Sequence, residues 1–226
     1  MEYTYLIGSL IVLFFWFILY FSRKDVRKEM LFMSIMTGLM GLILELIWTQ
    51  DWWRPMTITG TLIGIEDFIF GFGVGGFSGS IYEELFKKKM VKIKRKEHPH
   101  TKQLIILSIL SFIILLTMFF FLKIPSFYAT LFATLIPTFI IYFFRHDLIL
   151  DSLVTGFLLT IFSIFGFAVL NIIQPDFVYS WWFIDKLTGI VILGVPLEDL
   201  IWFFTTGMYL APIYEFWQGL RLKNMK

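Results

Sequence analysis

Apolar stretches of about 20 residues with almost no charge recur along this chain of 226 residues, and a helix of that length crosses the hydrocarbon core of a bilayer. Hydrocarbon offers no partner to a backbone N–H or C=O, so such stretches must satisfy their own hydrogen bonds as helices. Charged residues make up 16% of the sequence, well under the roughly 25% of a water-soluble domain, and 28 positions are Phe. The predicted fold class is all-α: a polytopic membrane protein of about seven transmembrane helices. The spans are drawn at 3–21, 30–48, 60–85, 104–122, 126–144, 148–172 and 190–215.

The joins between spans carry the positive charge unevenly. Sorting Lys and Arg by side places 16 on one face and three (Arg54, Lys123 and Lys186) on the other. By the positive-inside tendency the basic face is cytoplasmic. The chain is then a multi-pass protein of the cell membrane with its N-terminus outside and its C-terminus in the cytoplasm. The opening "MEYTYLIGSL" has no basic leader and is read as the first span, not as a cleaved signal. The Trp pairs at 52–53 and 181–182 sit in outer joins, where interfacial anchoring is expected. The basic residues read as topology signals, so no nucleic-acid partner is predicted. The chain has no Cys, which excludes disulfides, thiolate nucleophiles and Cys-based metal sites.

An internal repeat organises the rest. "GIEDFIFGFGVGGFSGSIYEE" (64–84) aligns without gaps on "PLEDLIWFFTTGMYLAPIYEF" (196–216), an offset of 132. Upstream, "RKEMLFMSIMTG" (27–38) resembles "RHDLILDSLVTG" (145–156) at an offset of 118. The expected plan is two parallel three-helix repeats, 1–90 and 126–226, joined by a basic loop and a linking helix at 91–125. Parallel repeats commonly enclose a shared site.

The repeat carries its acids inside apolar runs: Glu66 and Asp67 in the first unit, Glu198 and Asp199 in the second. An ionised carboxylate within a membrane is turned inward, paired or protonated. Placed about eight residues into its span, Glu198 would lie roughly 12 Å below the outer surface, with Glu66 at matching depth across the repeat interface. Glu45, in "LILELIW", is a further intramembrane acid without a counterpart in the second repeat. A carboxylic acid in a dry pocket beside a second carboxylate can serve as a proton donor, and aromatic faces beside it can stabilise a developing cation. The same acids could instead only hold helices together, although the spans offer almost no basic residue to pair with. Glu83 and Glu215 fall near the basic face, where they are expected at the interface, matched to Arg27 and Arg145. Gly71, Gly75 and Gly79 have the look of a dinucleotide loop but lie within a span at helical spacing, so close helix packing is predicted for them. His98, His100 and His146 lie in loops or at span edges, and no metal site or nucleophile–base pair is evident.

The doubled three-span plan with "PLEDLIWFF" and "GIEDFIFGF" resembles the membrane-embedded lycopene cyclases of the heterodimeric or fused type. The family motif is Pro, any residue, then Glu-Glu or Glu-Asp followed by apolar and aromatic residues. Pro196, Glu198, Asp199, Phe203 and Phe204 match it in the second unit, and Glu66, Asp67, Phe70 and Phe72 in the first, where Gly64 replaces the proline. The resemblance covers residues 3–217. It implies a carotenoid β-cyclase of the isomerase type, acting on a lipid-soluble polyene such as lycopene within membrane lipid, and it leaves room for contact with other carotenoid enzymes. It implies Glu198 and Glu66 as the principal acid/base carboxylates, with Asp199 and Asp67 orienting or sharing the proton. Trp202, Phe203, Phe204, Phe70, Phe72 and Glu45 are the candidate pocket residues. No cofactor is predicted. A proton-coupled transporter using the same acids as relays, and a non-catalytic membrane scaffold, are the competing readings.

Overall fold

The computed structural model describes residues 3–92 and 100–225, so His98 and the middle of the basic segment lie outside the described residues. Seven principal helices carry the fold: α1 (Thr4–Ser22), α2 (Arg27–Trp48), α3 (Ile65–Ser78), α5 (Thr101–Leu116), α6 (Ser126–Phe144), α7 (Ile149–Ile173) and α9 (Leu197–Gln218). Two short ones accompany them, α4 (Ile81–Leu85) after α3 and α8 (Phe177–Trp181) before α9. Among the described residues five helices are long and apolar enough to cross a membrane: α1, α2, α5 with its π-helical extension to Phe121, α6, and α7 with the short turn before it. The fold is that of an all-α multi-pass membrane protein. The apolar runs at 60–64 and 190–196, expected within spans, are not helical. The first is a bend, and the second is a tight hairpin of β2 (Val191–Ile192) and β3 (Val195–Pro196). Consequently α3 and α9 begin only at Ile65 and Leu197, directly before their acids.

The halves of the chain repeat one another in geometry. Arg23, just past α1, donates from Nε to Asp25 and from its two terminal nitrogens to the carbonyls of Glu83 and Lys88. Arg145, just past α6, donates in the same way to Asp147 and to the carbonyls of Glu215 and Leu220. The planar guanidinium has five N–H donors in a fixed fork, which is why one side chain can tie three segments. Beside it, Arg23 holds the Asp25 carboxyl below the usual carboxylate range through this hydrogen bond. The equivalence Arg23 to Arg145 is an offset of 122. It corrects the upstream register of 118, which had matched Arg27 to Arg145. The slip is four residues, about one helical turn, and it preserves the face of the helix, so apolar pattern alone does not detect it. Arg27 instead donates to the carbonyl of Tyr20 and lies over its ring.

The two halves meet at both ends through backbone pairing. At the basic end, β1 (Lys88–Lys92) runs antiparallel to β4 (Leu220–Asn224), and Met90 pairs with Leu222, its own equivalent at the offset of 132. Lys87 and Gly219, also equivalents, both take positive φ to turn the chain into these strands. At the other end Trp53 bridges Trp182, flanked by hydrogen bonds from Arg54 N to Trp181 O and from Phe183 N to Trp52 O. Self-equivalent antiparallel pairs mark the two ends of a pseudo-twofold axis running between the repeats.

Close packing follows the glycines. A Cβ on Gly71 would lie 2.6 Å from Thr37 O, and one on Gly75 would collide with the Thr37 hydroxyl, so α2 and α3 touch nearly backbone to backbone. Gly207, the equivalent of Gly75, meets Gly156 of α7 in the same way. Gly79, at the end of the same spacing, meets side chains and not backbone, the nearest being Met33 at 3.3 Å from a built Cβ.

Because Arg145 is buried and joins α6, α9 and β4, Arg145→Gln should lower stability by about 2–3 kcal/mol. Arg27→Gln should cost well under half of that. Thermal unfolding of the detergent-solubilised variants checks the order, and equal losses would contradict the role given to Arg145.

Candidate active site

The two acidic pairs sit in the first turns of α3 and α9, where free backbone N–H groups and the positive end of the helix dipole favour a carboxylate. They are therefore at the starts of these helices, not eight residues into them. Within each pair the roles divide. Glu66 Oε1 accepts from Ile58 N at 2.6 Å, and Glu198 Oε1 accepts from Thr188 N at 2.7 Å, so each glutamate holds the loop that precedes its helix. The aspartates, one residue on, turn inward. Asp67 accepts from the Tyr5 hydroxyl at 2.6 Å and from Gly64 N at 2.7 Å. Asp199 Oδ2 accepts from the indole N–H groups of Trp182 at 2.7 Å and Trp52 at 3.4 Å.

The difference between the units traces to one residue. Asp67 closes its helix by reaching back to the N–H of Gly64, as the third residue of a capping box does. Pro196 occupies the same place before α9 and has no N–H to offer. Asp199 is thereby released from capping, and the two tryptophans take it up. A Cβ at Gly64 would also lie 2.8 Å from the Thr57 side chain, which makes glycine the fitting residue there.

Two cavities open between the repeats. The smaller encloses about 860 Å³ with its mouth and is lined by α1, α3, α7, α8 and α9; its one acid is Asp199. The larger encloses about 1340 Å³ with its mouth, between α2, α3, α5, α6 and α9, and holds two acids, Glu45 and Asp67. The linings are counterparts under the repeat. Ile11 and Val12 of the smaller cavity correspond to Ala133 and Thr134 of the larger, Asp199 to Asp67, and Trp202 to Phe70. Two departures from the repeat bear directly on the acids. Glu45 stands where the smaller cavity has Phe167, and Tyr5 stands where the second repeat has Phe127, whose ring packs on Trp52. Glu45 is 2% exposed, is hydrogen-bonded with the Trp53 indole, and leaves Oε2 without a partner. Phe70 and Trp202 stack with ring centres 6.4 Å apart and belong to both linings.

The family model described as lycopene cyclase matches residues 2–85 and 125–217, most of the chain and the greater part of both repeats. The chain belongs to the lycopene cyclase family. No curated protein and no solved structure matches it. Family membership makes this an enzyme of carotenoid cyclisation with a lipid-soluble carotenoid substrate.

Set against the cyclase reaction, the residues expected from sequence separate into two groups. Asp67, Asp199, Glu45, Phe70, Trp202 and Phe203 line cavities. Glu66 and Glu198 are buried as loop ties, each with Oε2 unpartnered, and neither lines either of these two cavities. Phe72 packs on Trp16 and Phe68, and Phe204 lies against Gly156 of α7, both away from the cavities. Sequence reasoning missed Tyr5 and misplaced the tryptophans. Trp52, Trp181 and Trp182 are at most 6% exposed and form the aromatic core beside Asp199, so they are not interfacial anchors. For Trp52 and Trp182 the signal was present: a buried indole N–H needs an acceptor, and Asp199 of α9 supplies it.

Gly64→Pro removes the N–H that caps Asp67 and drives a ring into Thr57, and should cost about 2 kcal/mol or more. Pro196→Gly, which only restores an N–H, should change stability by about 1 kcal/mol at most. Denaturation midpoints of the two variants in detergent test the asymmetry; equal effects would refute it.

Proposed function

We propose that the chain is a lycopene-type β-cyclase whose chemistry takes place in the larger cavity, with Glu45 as proton donor and Asp67 as proton acceptor. The observation that carries this reading is the pairing of the two acids in one apolar cavity, where the counterpart cavity has Asp199 alone with Phe167. The donor needs a carboxyl oxygen free of other partners, and Glu45 Oε2 is such an atom. The acceptor needs its charge supported in place, and Asp67 has a phenol and a backbone N–H for that purpose. Donation by Glu45 to the terminal double bond of the polyene creates a carbocation. That cation closes on a neighbouring double bond to form a six-membered ring, and Asp67 removes a proton from the ring. The substrate neither gains nor loses electrons or atoms. A proton passing back from Asp67 to Glu45 resets the pair.

The walls suit the intermediate. Phe70, Trp202 and Trp48 line the cavity, and aromatic faces stabilise a cation without offering it a nucleophile. From Glu45 to Phe32 the cavity follows thirteen residues of α2, about 20 Å of helix. Met36, 47% exposed, lies between these ends on the outer surface of α2. An apolar cavity that includes the exposed Met36 in its lining suits a polyene substrate better than a water-borne ion, and so favours the cyclase over a proton-coupled transporter. Glu66 and Glu198 enter this reading as positioning residues that hold the loops above α3 and α9, and Asp199 as the acid of the second cavity. We place the basic end, with the C-terminus, in the cytoplasm, in keeping with the positive-inside tendency.

The test is expression in lycopene-accumulating cells with chromatographic analysis of the pigments. Glu45→Gln and Asp67→Asn should each reduce cyclic end groups by about 100-fold or more at equal membrane expression. Glu198→Gln and Glu66→Gln, which keep an acceptor oxygen for the loop, should retain activity within about tenfold. Full activity in Glu45→Gln, or its abolition in Glu198→Gln, would move the acid to the motif glutamates.

A further inference from the structure

A second group of acids lies at the opposite, basic end of the molecule. Glu29 of α2, Glu83 of α4, Asp151 of α7 and Glu215 of α9 are all at most 3% exposed. They form equivalent pairs across the repeat, Glu29 with Asp151 and Glu83 with Glu215, and so stand around the pseudo-twofold axis. Glu83, Asp151 and Glu215 can each present an oxygen so that all three lie within 4.8 Å of one another. None of these residues lines either cavity, and the proposed cyclisation uses none of them.

No side-chain cation is paired with these four carboxylates among the described residues. The nearby Arg23 and Arg145 give their side-chain pairing to Asp25, Glu84 and Asp147, and touch Glu83 and Glu215 only through backbone carbonyls. Both carboxyl oxygens of Glu29, both of Glu215 and Oδ2 of Asp151 are buried with no hydrogen-bond donor from outside the cluster, and Glu29 and Glu83 each approach the Glu215 carboxyl at hydrogen-bonding distance. Buried acids in such numbers are held by a metal ion or by protons shared among them.

We propose that Glu83, Asp151 and Glu215, with Glu29 beside them, bind one hard divalent cation of the Mg²⁺, Mn²⁺ or Ca²⁺ class. The donor set is oxygen only, which suits these ions, and it offers no imidazole or thiolate for zinc. The ion takes Glu83 from the first repeat and Asp151 and Glu215 from the second, and so clasps the halves where β1 and β4 pair. It lies beyond the end of the larger cavity opposite to Glu45 and Asp67, which makes it a structural ion, and the inference does not depend on the cyclase reading.

The test uses the full chain in detergent, stripped with chelator and titrated with Mn²⁺, Mg²⁺ and Ca²⁺. Expected are about one Mn²⁺ bound per chain by electron paramagnetic resonance and a rise of several degrees in Tm on adding the preferred ion. Asp151→Asn combined with Glu215→Gln should weaken Mn²⁺ binding at least about tenfold. If that pair fails to fold, Glu29→Gln and Glu83→Gln, followed by far-UV circular dichroism, serve in its place and should weaken binding too. Wild-type protein that binds none of the three ions, with Tm unmoved, would overturn the proposal and leave shared protons. So would folded variants that keep full Mn²⁺ affinity.

Discussion

A carboxyl group taken out of water must find hydrogen-bond donors, a proton or a cation, and the arrangement of this chain follows from how each buried acid meets that demand. At the end away from the basic joins the answer is the helix start. Glu66 and Asp67, like Glu198 and Asp199, occupy the first turns of α3 and α9, close to backbone N–H groups with no carbonyl partner of their own. This is why neither helix continues through the apolar residues that precede it. The bend at 60–64 and the hairpin at 191–196 fold back over the helix starts, each tied down by a glutamate. A hydropathy profile sees one long span where the chain has a loop, a tie and a shorter helix.

Symmetry is kept where it serves packing and broken where it serves chemistry. Gly75 and Gly207 both bring helices into near-backbone contact, and Arg23 and Arg145 make nearly the same set of bonds. The departures gather around the acids. Gly64 against Pro196 decides whether the aspartate caps its helix. Tyr5 against Phe127 decides whether a phenol is present, and Glu45 against Phe167 decides whether a cavity has one acid or two. One duplicated scaffold thus yields two cavities of unlike chemistry, and only one has a second carboxyl within the same walls.

The sequence made the architecture legible because its main signals are local: span length, the basic joins and the ungapped match of 64–84 to 196–216. Register upstream was not legible, since a slip of four residues leaves the same helix face inward. The acids could be named but not assigned. Nothing in "IED" or "LED" says that the glutamate turns to a loop and the aspartate to a cavity; that depends on Ile58 and Thr188, eight and ten residues earlier, which the fold returns to the helix start. Glu45 was visible as an acid with no counterpart, and that lack now carries the most information about it. Tyr5 gave no signal, because a phenol sixty-two residues from its aspartate looks like any aromatic of a first span. Glu83 and Glu215, read as interfacial, are buried, because the folded-back strands β1 and β4 close that end of the bundle.

Why the two ends of the molecule diverged so differently has a geometric reason. At the basic end Met90 pairs with Leu222 on the axis, and the acids of both repeats crowd around the same point. A change in one copy there alters the surroundings of the other, so both copies answer to one shared geometry. The cavities lie to either side of the axis, each bounded mainly by its own set of helices. A substitution such as glutamate for phenylalanine on α2 alters one cavity and leaves its counterpart on α7 intact. The position of a residue relative to the axis therefore governs how freely its repeat partner can differ, and the acid pair of Glu45 and Asp67 could arise only off the axis, where the other copy did not have to follow.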